Sequence, residues 1–301
     1  MASGILNINK PPGMASFAVV SLVRRLTGVR RVGHAGTLDP TADGVLPICL
    51  GRATRVVEYL VNAPKTYYAA IRLGSATDTY DSEGTVTATG DPSSVTQEEM
   101  EAALAGFVGQ IEQIPPMYSA LKYEGQPLYR YARAGKTAPR QARTVTIHRL
   151  ELRRFAPPLV EVELEVGRGA YVRTLAHDLG ERLGCHAHLE RLTRLRSGPF
   201  SLADALGLDE LREAAEHGTW RELLYPVDRV LESWYAALLG QQHTRDACRG
   251  RLLVLTPVRQ ELVDLPLDTP CRAYSEEGEF LAILRYRGAD RWQPERVFAT
   301  L

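Results

Sequence analysis

Cysteine is scarce in this 301-residue chain: there are four, and no two of them have the CxxC spacing. Their separation argues against a structural zinc site and against a disulfide framework. Free thiols fit a reducing compartment such as the cytoplasm. The sequence also has no apolar run of membrane-spanning length, and its start, MASGILNINKPPG, lacks the basic and apolar regions of a signal peptide. We therefore expect a cytoplasmic protein that is not bound to a membrane.

Net charge is absent as well, because Lys+Arg and Asp+Glu both total 36. Global charge thus gives no indication of a nucleic-acid partner, and any attraction must come from local asymmetry. Residues 116–150, here called the basic segment, show such asymmetry, with Glu124 as the single acid. Its basic residues are Lys122, Arg130, Arg133, Lys136, Arg140, Arg143 and Arg149, and its tyrosines are Tyr118, Tyr123, Tyr129 and Tyr131.

Basic side chains bind phosphates without sequence preference, and aromatic rings stack on exposed bases. The basic segment therefore predicts RNA binding, with a solvated basic loop over packed tyrosines as the alternative.

Predicted helices and strands alternate without a βαβ period, which favours an α+β fold. Ser16 is predicted to cap a helix that ends at Gly28. Further predicted elements are a helix after a Thr96–Glu99 capping box, a helix over Tyr171–Leu183 closed by Gly184, and strands over Tyr67–Leu73, Arg143–Leu152 with a break in its alternation, and Val160–Val166.

The most informative stretch is GHAGTLDPTADGVLPICLGRATR, residues 33–55, which places Asp39 in a Gly- and Pro-rich loop before an apolar run. This pattern indicates a carboxylate held on a constrained, accessible loop, a common setting for functional residues. The alternative is an aspartate that caps a turn before Pro40. The residues alone leave these two interpretations about level.

The sequence of this stretch closely resembles the catalytic motif of the bacterial tRNA pseudouridine-55 synthases, the TruB family of pseudouridine synthases. Three further segments resemble the family's motifs, in the family's order. They are INKPPGMAS (8–16) for its Lys-Pro motif, KTYYAAIRLGSATDTYDSEG (65–84) for its tyrosine motif, and RGAYVRTLAHDLGERLGCHAHLERLTRLRSGPF (168–200) for its arginine motif. The matches span most of residues 5–230.

The resemblance implies the pseudouridine synthase fold, a large mixed, mainly antiparallel sheet with the active cleft across its middle. It assigns residues 1–234 to the catalytic domain. Residues 235–301 read as a small β-rich unit and resemble, more loosely, the RNA-binding PUA domain; the alternative is an extension that only packs against the catalytic domain. The implied activity is isomerisation of uridine 55 in the T-loop of tRNA to pseudouridine, with no cofactor or metal, by a standalone enzyme. The sequence shows no obvious interface pattern, so we expect a monomer.

By matching positions, Asp39 is the implied nucleophile. The sequence leaves open whether it attacks C6 of the uracil or C1′ of the ribose, or whether a glycal forms. Tyr67 matches the active-site tyrosine, which can stack on the uracil and serve as acid or base; its alternative is a half-buried strand tyrosine. Arg173 matches the arginine expected to form a salt bridge with Asp39 and to lower the pKa of its carboxyl. The alternative for Arg173 is a residue on a helix surface.

Four more residues have implied supporting roles. His34 matches a histidine that enters the T-loop and takes the space of flipped nucleotides, which would offset part of the cost of flipping. Leu192 matches an apolar residue of the uracil pocket, with a core leucine as the alternative, and Lys10 and Pro11 are expected to brace the tyrosine loop. The basic segment falls where an insertion grips the tRNA stem-loop. The implied RNA contacts are Lys122, Arg130, Arg133, Lys136, Arg140 and Arg143.

Other functions were weighed against this one. The catalytic subunit of RNA-guided pseudouridylation complexes shares the Asp motif and a PUA domain, but such relatives usually carry extra N-terminal segments or Lys-rich tails. A tRNA-binding chaperone would not need the Asp-Tyr-Arg set, although both activities could coexist. Missing ligand clusters argue against a metal-dependent nuclease.

Overall fold

A computed structural model describes residues 2–255 and 265–299 of the chain. Its strands are β1 (Gly4–Lys10), β2 (Val32–His34), β3 (Asp43–Leu50), β4 (Lys65–Leu73), β5 (Ser75–Thr77), β6 (Val86–Thr89), β7 (Gly109–Gln113), β8 (Lys122–Tyr123), β9 (Gln126–Pro127), β10 (Arg143–Ala156), β11 (Leu159–Val166), β12 (Ala187–Ser197), β13 (Phe200–Ser201), β14 (Tyr235–Leu239), β15 (Leu253–Val254), β16 (Pro270–Ser275), β17 (Phe280–Tyr286) and β18 (Arg291–Val297). Its α-helices are α1 (Ser16–Thr27), α2 (Val57–Asn62), α3 (Gln97–Ala105), α4 (Leu128–Arg133), α5 (Val172–Arg182), α6 (Leu208–Glu216) and α7 (Gln241–Cys248), with 3-10 turns at Gly51–Val56, Trp220–Leu223 and Val227–Leu231.

Helix α1 ends as the sequence predicts, at Gly28, whose φ of +69° suits glycine. Its start differs from the prediction. The N-cap is Ala15, and Ser16 does not cap the helix. The Ser16 hydroxyl is buried, donates to the carbonyl of Leu38 and accepts from its amide, both at 2.9 Å. A hydroxyl that resembles a helix cap in the sequence therefore holds the residue that precedes Asp39.

The other predicted helices are confirmed. Thr96 and Glu99 form the capping box of α3, each side chain bonding to the other's backbone amide. Helix α5 ends at Arg182, and Gly184 follows with a φ of +68°.

The predicted strands are also present, and β11 alternates half-buried and buried residues as its sequence predicts. The predicted break in β10 corresponds to register shifts against β11 between Ile147 and Arg149 and between Leu152 and Arg154.

The larger sheet of the described residues has the strand order β1-β3-β12-β4-β11-β10-β7, with β2 on β3 and β13 on β12. Its pairings are antiparallel except that of β12 with β3, which is parallel. The predicted mixed, mainly antiparallel sheet is confirmed. Helices α1, α3, α5 and α6 pack with this sheet around one apolar core. This packing fixes the position of α5 relative to the strands of the sheet.

A second sheet, in the order β14-β16-β17-β18-β15, begins at Tyr235 and carries α7. It has a core of its own, around Leu239, Ala273 and Leu284. Residues 256–264 of the predicted PUA-like domain lie outside the described residues. Across the described ranges, no helix combines the length and the apolar character that crossing a membrane requires.

Candidate active site

A cleft of about 810 Å³ opens over strands β12, β4 and β11, in the middle of the larger sheet. The loop between β2 and β3 forms one wall and the start of α5 another. Side chains of the Asp39 motif, the tyrosine motif and the arginine motif meet there, whereas the Lys-Pro motif contributes none. The residues that matter below are Asp39, Tyr67, Arg173 and Leu192, together with Tyr129 and Arg133 of the basic segment.

Asp39 and Arg173 form an ion pair in the cleft, with two contacts between the carboxylate and the guanidinium. Arg173 Nε lies 3.0 Å from Asp39 Oδ2, and Nη2 donates to Oδ1 at 3.3 Å. The predicted ion pair is therefore present. Arg173 is only 5% exposed, which rules out a residue on a helix surface. The Asp39 side chain keeps 35% of its surface exposed, so the carboxylate remains accessible from the cleft.

The Arg173 guanidinium also binds a second carboxylate, that of Asp81. Nη1 donates to Asp81 Oδ2 at 3.3 Å and to the Thr79 carbonyl at 3.4 Å, while Nη2 donates to the Tyr118 carbonyl at 3.0 Å. Asp81 is buried, and the Thr79 hydroxyl donates to its Oδ1 at 2.6 Å. The sequence analysis did not single out Asp81. Its only signal was its place inside the tyrosine motif, in the run TDTYD.

Burial raises the pKa of the Asp39 carboxyl above its usual range. The Arg173 guanidinium opposes this shift, Asp81 adds to it, and Lys10 opposes it more weakly. The lowering by Arg173 that the sequence analysis expected is present, but the net direction of the shift is upward. Burial outweighs the guanidinium because removal of water penalises the charged form. Asp39 is thus a more basic carboxylate than an exposed aspartate.

Tyr67 and Tyr68 occupy opposite faces of β4, as alternation in a strand requires. Tyr67 lines the cleft, whereas the Tyr68 hydroxyl donates to Glu161 Oε2 at 2.7 Å, away from it. Leu192 pairs in register with Ala69, two residues from Tyr67 on the same face. At 8% exposure, Leu192 forms an apolar part of the cleft wall.

Lys10 holds the Asp39 loop rather than the tyrosine strand. Its ammonium is fully buried and donates to the carbonyls of Pro11 at 2.9 Å, Met14 at 2.8 Å and Pro40 at 3.2 Å. The expectation that Lys10 braces the tyrosine loop is wrong, because these acceptors belong to the connection between β1 and α1 and to the residue after Asp39. Burial lowers the pKa of Lys10 to about 8, so it remains charged at neutral pH.

Arg194 holds the other end of the same loop, a role that the sequence analysis missed. It is 1% exposed, and it donates from Nε to the Val45 carbonyl at 2.6 Å and from Nη2 to the Gly36 carbonyl at 3.0 Å. Arginine between Thr193 and Leu195 in a strand gave no sign of such burial. The loop is therefore fixed at three points, by Arg194, by Lys10 and by the serine at the start of α1.

His34 ends β2, five residues before Asp39, and does not line the cleft. Burial lowers the pKa of His34, and the Arg194 guanidinium lowers it further. The imidazole is consequently neutral at neutral pH. His34 stands at the base of the loop that carries Asp39, outside the space where the ion pair lies.

Comparison with known proteins relates this arrangement to one family. Residues 24–172 match the model described as TruB family pseudouridylate synthase (N terminal domain), and residues 173–232 match that described as tRNA pseudouridylate synthase B C-terminal domain. A protein of Dehalococcoides mccartyi named tRNA pseudouridine synthase B is 42% identical over 98% of this chain and 96% of its own length. The chain belongs to the TruB family of pseudouridylate synthases.

Other TruB-family relatives agree. Proteins with the same name from Geobacillus thermodenitrificans and Pseudomonas aeruginosa are 43% and 42% identical over 93% and 98% of this chain, and over 93% and 95% of their own lengths. Among solved structures, one described as a Cbf5-Nop10-Gar1 complex superposes with a TM-score of 0.75 at 25% identity. That alignment covers 99% of this chain and 85% of the other. The predicted pseudouridine synthase fold is confirmed.

The basic segment of this TruB-family chain lines the cleft with residues 118–120 and with Tyr129 and Arg133. The Arg133 guanidinium carbon lies 5.5 Å from the centre of the Tyr129 ring. Arg140 is half-buried and donates to the Pro115 carbonyl at 3.1 Å. The remaining predicted RNA contacts are exposed and lie outside the cleft: Lys122, Arg130, Lys136 and Arg143. Within residues 2–255 and 265–299, no three His, Cys, Asp or Glu side chains come together as a metal site.

Proposed function

We propose that this chain converts uridine 55 in the T-loop of tRNA to pseudouridine, with Asp39 as the nucleophile acting on a flipped-out base. The observation that carries the proposal is the accessible Asp39 carboxylate, held against Arg173 inside a cleft of about 810 Å³. Relatives that match nearly the whole chain are named tRNA pseudouridine synthase B, which supports tRNA as the substrate.

The reaction breaks the C1′–N1 bond of uridine, turns the uracil and forms a C1′–C5 bond, with loss of the C5 proton and gain of one at N1. Asp39 would form a transient bond to C6 or to C1′ and leave again, so no redox equivalent is consumed. Arg173 would fix the direction from which the carboxylate approaches. Tyr67 would lie against the uracil, placed to transfer the C5 proton.

Flipping accounts for how a stacked base reaches a carboxylate in a cleft. A base inside a folded loop must leave its stack, at a cost of a few kcal/mol. We assign His34, a neutral ring at the base of the Asp39 loop, to the space that the flipped nucleotide vacates. Phosphate contacts from the exposed side chains of the basic segment would hold the stem-loop and make affinity depend on salt.

The test is release of tritium from a transcript of unmodified tRNA that carries 5-tritiated uridine, without added metal, guide RNA or partner protein. We expect release, pseudouridine at position 55, and no release above background when that position is cytidine. Release from another position would overturn the site. Tight binding without release would favour the RNA-guided or chaperone function, and loss of release on adding a chelator would indicate metal dependence.

The acid limb of the pH–rate profile reports the protonation state of the Asp39 carboxyl. A carboxylate attacks only when ionised, so turnover falls as the pH drops through the pKa of Asp39. Because that pKa is raised, the limb should lie above the ordinary aspartate value of ~3.9. Asp81→Asn removes a charge that raises the pKa, so the limb should move to lower pH. Glu83→Gln, two residues along the same loop, is the matched control; a shift of the Asp81→Asn limb to higher pH would contradict the argument.

A further inference from the structure

The loop that carries Asp81 contains an unusual backbone conformation at Tyr80, which has a φ of +65°. A bulky side chain is unfavourable in this left-handed region, where glycine is the ordinary choice. Tyr80 stands between Thr79 and Asp81, the two residues of the loop that accept from Arg173. Strained backbone is thus located directly beside the ion pair, and strain of this kind persists only when its surroundings hold it in place.

The tyrosine ring has a specific partner on α5. It stacks on the imidazole of His177, with ring centres 4.0 Å apart and planes inclined by 10°. His177 follows Arg173 by four residues, so the two side chains leave the helix on the same face, one turn apart. Helix α5 therefore grips the loop at two adjacent points, with Arg173 on Asp81 and His177 on Tyr80.

The backbone path of the loop does not itself require a tyrosine. The Tyr80 amide donates to the Thr77 carbonyl at 3.2 Å, and the Tyr80 carbonyl accepts from the Leu189 amide at 3.0 Å. Any residue other than proline could make both bonds, and glycine would make them with less strain. What the tyrosine adds is the contact of its ring with His177.

We propose that Tyr80 and His177 are positioning residues: as a stacked pair they set the Asp81 carboxylate against Arg173, and through Arg173 they orient Asp39. This inference rests on the proposed function in that Asp39 is taken as the reacting group. The pair acts on Arg173 through the backbone of the loop that carries both Tyr80 and Asp81.

Tyr80→Gly removes the ring without adding backbone strain, because glycine suits the left-handed conformation of this residue. We expect a thermal midpoint no lower than that of the wild type, unchanged tRNA affinity, and single-turnover tritium release slower by about ten- to a hundredfold, the usual consequence of a displaced catalytic group. His177→Ala should slow release similarly, and the double variant should be no slower than the slower single variant, since one contact is lost in each case. Tyr80→Phe keeps the ring and should restore most of the rate.

His186→Gly is the matched control for strain relief, since His186 has a φ of +59° outside the cleft; its rate should equal that of the wild type. The inference would be overturned if Tyr80→Gly released tritium at the wild-type rate, or if Tyr80→Phe and Tyr80→Gly lost the same amount of activity.

A crystal structure of Tyr80→Gly tests the inference independently of activity. We expect the Asp81 carboxylate to move away from Arg173, and an unchanged Arg173–Asp81 contact would refute the inference even if the proposed reaction itself failed.

Discussion

Asp39→Asn is expected to abolish tritium release, to at least about a thousandfold below the wild type, in keeping with the loss of a covalent nucleophile. An amide has the size of the carboxylate but neither its charge nor its nucleophilicity. Binding of tRNA should be retained, since four exposed cations of the basic segment, Lys122, Arg130, Lys136 and Arg143, lie outside the cleft. Release from the labelled transcript and filter binding of the same transcript measure the two properties on one preparation.

Asp43→Asn is the matched control for this variant, because Asp43 lies four residues further along the same motif and does not line the cleft. Its release rate should stay within a few-fold of the wild type. Release by Asp39→Asn within tenfold of the wild type would show that another group is the nucleophile. Loss of tRNA binding together with activity would instead indicate that the Asp39 loop had collapsed.

Arg173→Lys should lower the rate of release by about a hundredfold or more, although it keeps the charge. A lysine ammonium is a point charge and cannot contact two carboxylates and two carbonyls as the planar guanidinium does. Arg173→Ala should also unfold more readily, by about 3–5 kcal/mol, because it leaves the buried Asp81 carboxylate unpaired beside Asp39. Thermal and denaturant unfolding measure this change.

Adding Asp81→Asn to Arg173→Ala should recover part of the lost stability without recovering activity. The second substitution neutralises the carboxylate that the first leaves unpaired, so the two effects are not additive. If Arg173→Ala is as stable as the wild type, the guanidinium is not what holds the two carboxylates together. Asp81→Asn alone provides the remaining corner of the double-mutant cycle.

The residues of the site that the sequence could predict are those inside contiguous motifs. Asp39, Tyr67 and Arg173 each stand in a distinctive run of residues, and the structure brings all three to one cleft. Asp81 could not be singled out in the same way. Nothing in the run TDTYDSEG says which of its acids turns inward, because that depends on how the loop folds over α5.

Other misjudged features depend on burial, which local sequence does not encode. A serine before an apolar helix resembles an N-cap, but Ser16 is buried and bonds to Leu38 in the loop that carries Asp39 instead. Arg194 in a strand resembles a solvent-facing cation, but it is packed beneath the loop. The net upward shift of the Asp39 pKa could not be predicted for the same reason, since desolvation in the cleft outweighs the lowering by Arg173 that the sequence indicates.

The parallel pairing of β12 with β3 bears on how the chain acquires its activity. The pairing joins Thr193 to Asp43 and Arg194 to Gly44, positions about 150 residues apart in the sequence. Contacts of such long sequence separation form late, because the loop between them must close first. Strand β12 lies between β3 and β4, so the walls that carry Asp39 and Tyr67 meet only after it is in place. A nascent chain that lacks β12 already contains Asp39, Tyr67 and Arg173 but not the cleft that brings them together, so the site is complete only after β12 has joined the sheet.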